Sequence, residues 1–296
     1  MRLFIKLLKL LLTLLEKKEV REEVKDIKIV NQEVHQEIKD TPSANQVQTD
    51  TIVSTTIINP EPIIQPTTNL VPNLKIIERL LPPSQYVQDS GFIPSSIVLH
   101  HTNGHSWQST YNYWNSDKNL RVATHFLIDR DGSIVQCIPL DKAWGFHINI
   151  AARDNKIPRQ YKNLGRKYDS QSIGIELCSM SQLVPYGDKF LDTYGKVFKG
   201  EVTKLDKPFR GFEYFESYTE KQISALESLL LYLLNEYPKI KQGLYENYED
   251  KFDINMDALN MKPGVYFHVN YRTGTKWDLY PQPKLIQMLN QLHTKV

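Results

Sequence analysis

The chain has 296 residues, 41% apolar and 24% charged, enough to bury a core in one large domain with additional segments. A formal net charge of +2, with no basic stripe interleaved by aromatics, excludes the electrostatic footprint of a nucleic-acid binder. Two distant cysteines, Cys137 and Cys178, fit either two thiols or one disulfide and leave the redox compartment open.

The first element is "MRLFIKLLKLLLTLLEKKE". Its apolar run from Leu7 to Leu15, broken by Lys9, falls short of the roughly 20 residues that a spanning helix needs. No small-residue cleavage site separates Leu15 from Glu16, Lys17 and Lys18. Apolar residues alternating with lysines suit a helix lying at a membrane surface. Residues 1–19 are therefore read as an apolar, basic N-terminal helix, either a membrane-surface or export segment or a plain helical extension. Residues 20–73 pass from charged sequence to a stretch rich in Thr, Asn, Gln and Pro without glycine, which predicts an extended linker. The folded domain is assigned to residues 74–296, and no internal repeat is visible.

Within that domain, strand and helix signals alternate. "SSIVLHHT" is a short apolar strand, and "THFLIDRDGSIVQCIP" is two β-type runs about an Asp-Gly turn. "SIGIEL" is a further strand, with Ile173, Ile175 and Leu177 on one face and Gly174 and Glu176 on the other. "TEKQISALESLLLYLLNEYP" predicts a helix: Thr219 and Gln222 form a capping box, Ile223, Leu226, Leu229, Leu230, Leu233 and Leu234 make one face, and Pro238 stops it. A last helix starts at Pro283 with Leu285, Ile286, Leu289 and Leu292 inward. The pattern predicts an α/β domain: a single mixed β-sheet flanked by helices, preceded by a helical or disordered N-terminal extension.

Three of the eight histidines fall between positions 100 and 105, at the end of the first of these strands. A histidine at a strand's carboxyl end suits zinc, although a hydrogen-bonded core histidine has the same sequence signature. A second cluster, "GVYFHVNYRTGTKWDLYP", holds His268 in an aromatic strand and, past a glycine-containing turn, Lys276 and Asp278 two apart, as on one strand face. Two histidines and one carboxylate with no fourth protein ligand are the pattern of catalytic zinc, where the open position takes water. Such a site also needs a proton shuttle that is not a ligand. Glu176 is a candidate, and a solvated glutamate is the competing reading.

Taken in order, "IVLHHT", "THFLIDRDGSIVQCIPLDKAWGFH", "SIGIEL" and "HVNYRTGTKWDLYPQPKLI" resemble the type 2 N-acetylmuramoyl-L-alanine amidases over roughly residues 90 to 293. That family includes phage lysozyme-amidases, cell-wall recycling amidases and animal peptidoglycan recognition proteins. The resemblance implies Zn2+ held by His100, His268 and Asp278, with His101 outside the ligand set. It also implies Glu176 as general base and Lys276 as the cation that stabilises a developing oxyanion, the latter a contribution on the order of a few kcal/mol. The reaction it implies is hydrolysis of the amide between N-acetylmuramic acid and L-alanine, with peptidoglycan or muropeptides as partner. Three positions depart from the family pattern. Thr124 stands where a tyrosine is common, "AWGFH" replaces "AWHAG" with His147 displaced by two, and Asp169 replaces an asparagine. His147, Thr124 and Asp169 are carried as the substrate-binding candidates. His125 is assigned a structural role from strand parity.

The alternative function is a non-catalytic recognition module or an envelope- or virion-anchored binder of the same fold. A cell-envelope protein, periplasmic or membrane-associated through its N-terminus, and a phage-encoded wall-acting protein both fit. The segment 181–218, dense in aromatics and lysines, reads either as a sugar-contacting insertion or as a small β-hairpin packed on the domain. If residues 20–73 are a tether, a fragment beginning at Leu74 unfolds at the same temperature as the full chain and digests peptidoglycan equally well. A fragment without a cooperative thermal transition contradicts the boundary.

Overall fold

The computed structural model describes residues 74–116, 122–148, 156–273 and 276–296. The N-terminal segment 1–19, its expected membrane-surface contact and the linker 20–73 lie outside the described residues. The strands, in chain order, are β1 (Ile76–Glu78), β2 (Val87–Gln88), β3 (Ser96–His101), β4 (Phe126–Ile128), β5 (Ile134–Gln136), β6 (Ala143–Trp144), β7 (Ser172–Leu177), β8 (Gln182–Tyr186), β9 (Lys189–Leu191), β10 (Val197–Phe198), β11 (Val202–Phe209), β12 (Phe212–Glu216) and β13 (Gly264–Phe267). The α-helices are α1 (Trp107–Ser116), α2 (Gly165–Asp169), α3 (Glu220–Glu236), α4 (Met256–Leu259) and α5 (Pro283–Lys295).

Six strands form a central sheet in the order β1-β5-β4-β7-β3-β13. All neighbours are parallel except the β4–β5 hairpin, which turns through Gly132 at φ +86. Strand alternation sorts the side chains. Ile97, Leu99, Ile173, Ile175, Leu177, Val265 and Phe267 join one core with α3 and α5, whereas Val98 and Tyr266 join another with Tyr168, Ala258 and Leu259. The sheet is thus mixed and covered by helices on both faces, the class expected from the sequence.

Helix α3 forms as its sequence predicts. Thr219 and Gln222 make the reciprocal capping box, and the six expected apolar side chains are buried. In α5 the inward set is Leu285, Met288, Leu289 and Leu292. Ile286, expected inward, is only partly buried, because a stripe at 3.6-residue spacing reaches Met288 instead. Among the described residues no helix is long and apolar enough to cross a membrane.

Two expectations are corrected. The segment 181–218 is larger than a hairpin: it folds as a five-stranded antiparallel sheet, β10-β9-β8-β12-β11, anchored by the buried Phe215. The second histidine cluster contains no returning strand among the described residues; β13 ends at Phe267, and Lys276 and Asp278 lie in irregular chain. Both cysteines are free and buried, and burial pushes the Cys137 thiol up to about 12, leaving it unreactive.

Leu230 is fully buried between α3 and the sheet, so Leu230→Ala is expected to lower the unfolding free energy by about 2–5 kcal/mol, read from a urea titration.

Candidate functional site

The parallel register of three neighbouring strands assembles the site. His100 on β3 is paired with Glu176 on β7, and Leu99 is paired with Phe267, the residue before His268. His268, His100 and Glu176 therefore come abreast at the carboxyl ends of β13, β3 and β7, the edge at which open α/β sheets bind ligands. His101, one residue on, points to the opposite face. There its ring nitrogens lie 2.7 Å from the Tyr218 hydroxyl and 2.8 Å from Ser181 Oγ.

His268 owes its orientation to a turn. Asn270 accepts a hydrogen bond from the Phe267 amide at 2.8 Å and donates to the Asp253 carbonyl at 2.7 Å, so the chain leaves the strand in a single 3-10 turn. The Val269 amide then donates to the Asp278 carbonyl at 3.1 Å, bringing that residue back beside His268.

The result is a compact triangle. His100 Nδ1 lies 2.9 Å from His268 Nδ1 and 3.3 Å from Asp278 Oδ2, and His268 Nδ1 lies 2.8 Å from the same oxygen. Ligand atoms of a tetrahedral zinc, about 2.0–2.2 Å from the metal, stand roughly 3.3–3.6 Å apart, so the donor set has the type and spacing for a metal ion. All three residues are buried. Burial pushes His100 and His268 below the ordinary histidine value, leaving neutral rings. Burial works against the Asp278 carboxylate, but its contact with His268 and the nearby charge of Lys276 hold it well below the usual range. Neutral imidazoles and an ionised carboxylate are the protonation states a metal requires.

Around the triangle, Lys276 Nζ lies 3.9 Å from Asp278 Oδ1. The partly buried Glu176 is raised to about 8, first by burial and then by the charge of Asp278, with Lys276 opposing. Two buried polar atoms here, Glu176 Oε2 and His268 Nε2, have no hydrogen-bond partner in the protein. Unsatisfied groups of this kind are costly and concentrate where a ligand completes the bonding.

The three substrate-binding candidates are all buried. Thr124 is buried and donates through Oγ1 to the Phe126 carbonyl at 3.0 Å. Asp169 is buried and accepts from the amides of His147 and Ile148 at 3.0 and 2.8 Å. His147 is buried with Nδ1 3.0 Å from His100 Nε2, and burial also pushes its ring well below the usual value. Their polar groups are engaged inside the protein. His125 lies between the Ala143 carbonyl and the Gly174 amide and stacks on Phe92, in keeping with the parity argument.

One contributor had no sequence signal. Arg210, in the turn between β11 and β12, donates to the carbonyls of Val269, Arg272 and Lys276 at 3.1, 2.9 and 2.7 Å. The guanidinium thereby braces the loop that carries Lys276. Only the fold brings residues 59 to 66 positions apart in the chain into that contact.

The solved amidase LysC from Clostridium intestinale URNW is 17% identical, covering 73% of this chain and 97% of its own, with a TM-score of 0.36. AmpD, as a selenomethionine derivative, is 19% identical over 73% of this chain and 92% of its own, with a TM-score of 0.39. The PlyG catalytic domain is 15% identical over 75% and 94%, with a TM-score of 0.40. No curated protein sequence matches the chain. The model of the family described as N-acetylmuramoyl-L-alanine amidase matches residues 90–278, well over half of the chain and a span holding the whole triangle together with Glu176 and Lys276. The chain belongs to the N-acetylmuramoyl-L-alanine amidases, hydrolases of the amide bond between N-acetylmuramic acid and L-alanine in peptidoglycan.

Proposed function

We propose that this amidase is zinc-dependent and acts at the cell envelope on peptidoglycan or its muropeptides, with His100, His268 and Asp278 as the metal ligands. The observation that supports this reading best is the convergence of His100 Nδ1, His268 Nδ1 and Asp278 Oδ2 to within 3.3 Å beside an unpartnered glutamate oxygen. A zinc ion in that triangle supplies Lewis acidity to the scissile carbonyl and lowers the pKa of water toward about 7.

The remaining chemistry belongs to the chain. Glu176 takes the proton of the attacking water through its free Oε2 and returns it to the departing alanine nitrogen, so one carboxyl serves as base and then acid. Its raised pKa suits the second role, and positive charge in the triangle favours the ionised form needed for the first. Lys276, tethered through Asp278 and braced by Arg210, offsets the negative charge that develops on the carbonyl oxygen. A module that only recognised muropeptide would need neither Glu176 nor Lys276.

Incubating the full chain with purified peptidoglycan is expected to release stem peptides beginning in alanine, an activity lost with chelator and restored by zinc. His268→Ala is expected to lose bound zinc and hydrolysis together, and hydrolysis surviving without zinc contradicts the assignment.

Glu176→Gln is expected to reduce turnover by about two to four orders of magnitude while keeping zinc. The same variant tests the electrostatics in metal-free protein. The folded carboxyl, at about 8 against an ordinary 4.5, holds its proton more tightly than the unfolded chain does. Its contribution to stability is thus present below the ordinary value and is lost as pH rises through about 8. Wild type should lose stability relative to Glu176→Gln over that window, measured as urea midpoints against pH. Parallel curves would contradict the buried, protonated glutamate.

A further inference from the structure

His147 lies against His100 on the side away from the ligand triangle, and its other contacts run in one direction. Ser172 Oγ is 2.8 Å from the Tyr168 carbonyl and 3.2 Å from His147 Nε2. A carbonyl only accepts, so the single hydroxyl proton of Ser172 goes to Tyr168. The serine oxygen must then accept from His147, which puts the proton of that neutral ring on Nε2. His147 Nδ1 is left as a lone pair, 3.0 Å from His100 Nε2, and can only accept. His100 consequently carries its proton on Nε2 and offers the Nδ1 lone pair, the atom that faces His268 and Asp278.

The surroundings are shaped for this chain of bonds. Asp169 Oδ1 holds the backbone amides of both His147 and Ile148. Gly174 leaves room for the ring: a Cβ there would lie 3.1 Å from His147 Cγ and 2.8 Å from Thr124 Cγ2. Gly145 admits the incoming segment, since a Cβ would stand 2.3 Å from the Ala123 carbonyl oxygen. The two imidazoles meet edge to face, at 85° and 5.0 Å between centroids.

We infer that His147 is a positioning residue for the metal centre: through the relay Tyr168 carbonyl, Ser172, His147, it fixes the tautomer and orientation of His100 so that Nδ1 is presented to the metal. This replaces the expectation that His147 binds substrate. It rests on the zinc reading above and assigns to this buried side chain a function exerted through the ligand. Partners of metal-bound histidines commonly govern affinity by such bonds.

The test compares the full chain with His147→Phe, His147→Asn and Ser172→Ala, measuring zinc affinity by competition with a chromophoric chelator. Nitrogen NMR of zinc-loaded wild type reads the tautomers. His147→Phe keeps an aromatic ring but no acceptor, and is expected to weaken zinc binding by about 10- to 100-fold. Asparagine keeps an acceptor near the Nδ1 position and is expected to recover most of that loss. Ser172→Ala frees His147 to exchange tautomers and gives an intermediate effect. The spectrum should show His147 protonated on Nε2 and His100 metallated on Nδ1.

Wild-type affinity in His147→Phe, equal losses in the Phe and Asn variants, or a proton on His147 Nδ1 each overturns the inference while leaving the zinc site intact. Failure of wild type to bind one equivalent of zinc overturns the zinc reading and this inference with it. Should His147→Phe fail to fold, Ser172→Ala and the wild-type spectrum decide.

Discussion

The parallel pairing of β13, β3 and β7 is the constraint on which the rest of this protein depends. Because parallel strands carry their carboxyl ends to the same edge, residues far apart in sequence arrive side by side without any loop having to carry them there. Phe267 opposite Leu99, and His100 opposite Glu176, set two ligand histidines and the catalytic carboxyl of the proposed mechanism in one row. A slip of one residue in either pairing would turn His100 toward the α3 face and bring His101 to the site. The apolar residues preceding the row resist such a slip, since Ile97, Leu99, Ile173 and Ile175 are buried against α3 and α5 while Val98 is buried on the other side.

The site is electrostatically expensive, and its cost is distributed. A buried carboxylate, two neutral imidazoles and a protonated Glu176 share a region from which water is largely excluded. Lys276 is the one formal cation close to Asp278 among the described residues. Such a cluster adds little to folding by itself, because desolvating the charges offsets most of their attraction. It is held by the strands beneath it and by backbone hydrogen bonds around it, those from Asn270, Val269 and Arg210 above all. Stability and function are thereby separated, with the apolar faces supplying the first and the polar edge the second.

The five-stranded insertion joins these two parts. Phe215 is buried in the main core, and Trp277 packs edge-on against Phe212 while donating to the Arg210 carbonyl. The insertion thus supports the loop that carries Lys276 and Asp278.

Much of this was legible in the chain itself. The capping box and heptad-like leucines determined α3, the Asp-Gly turn determined the β4–β5 hairpin, and strand parity distinguished His100 from His101 and His125 from Thr124. These signals are local, written in periods of two and 3.6 residues, and local physics suffices to read them. The ordered motifs pointed to His100, His268, Asp278, Glu176 and Lys276, but their approach to a few ångströms depended on strand pairing across more than 160 residues. Arg210 and the relay from Tyr168 to His100 were invisible in the sequence, because a hydrogen bond to a carbonyl places no demand on the identity of the residue that owns it. The sequence by itself determined which side chains alternate to which face and which groups were available for chemistry. Only the tertiary structure decided which of those groups touch, since contact between distant segments is set by register and packing over the whole sheet.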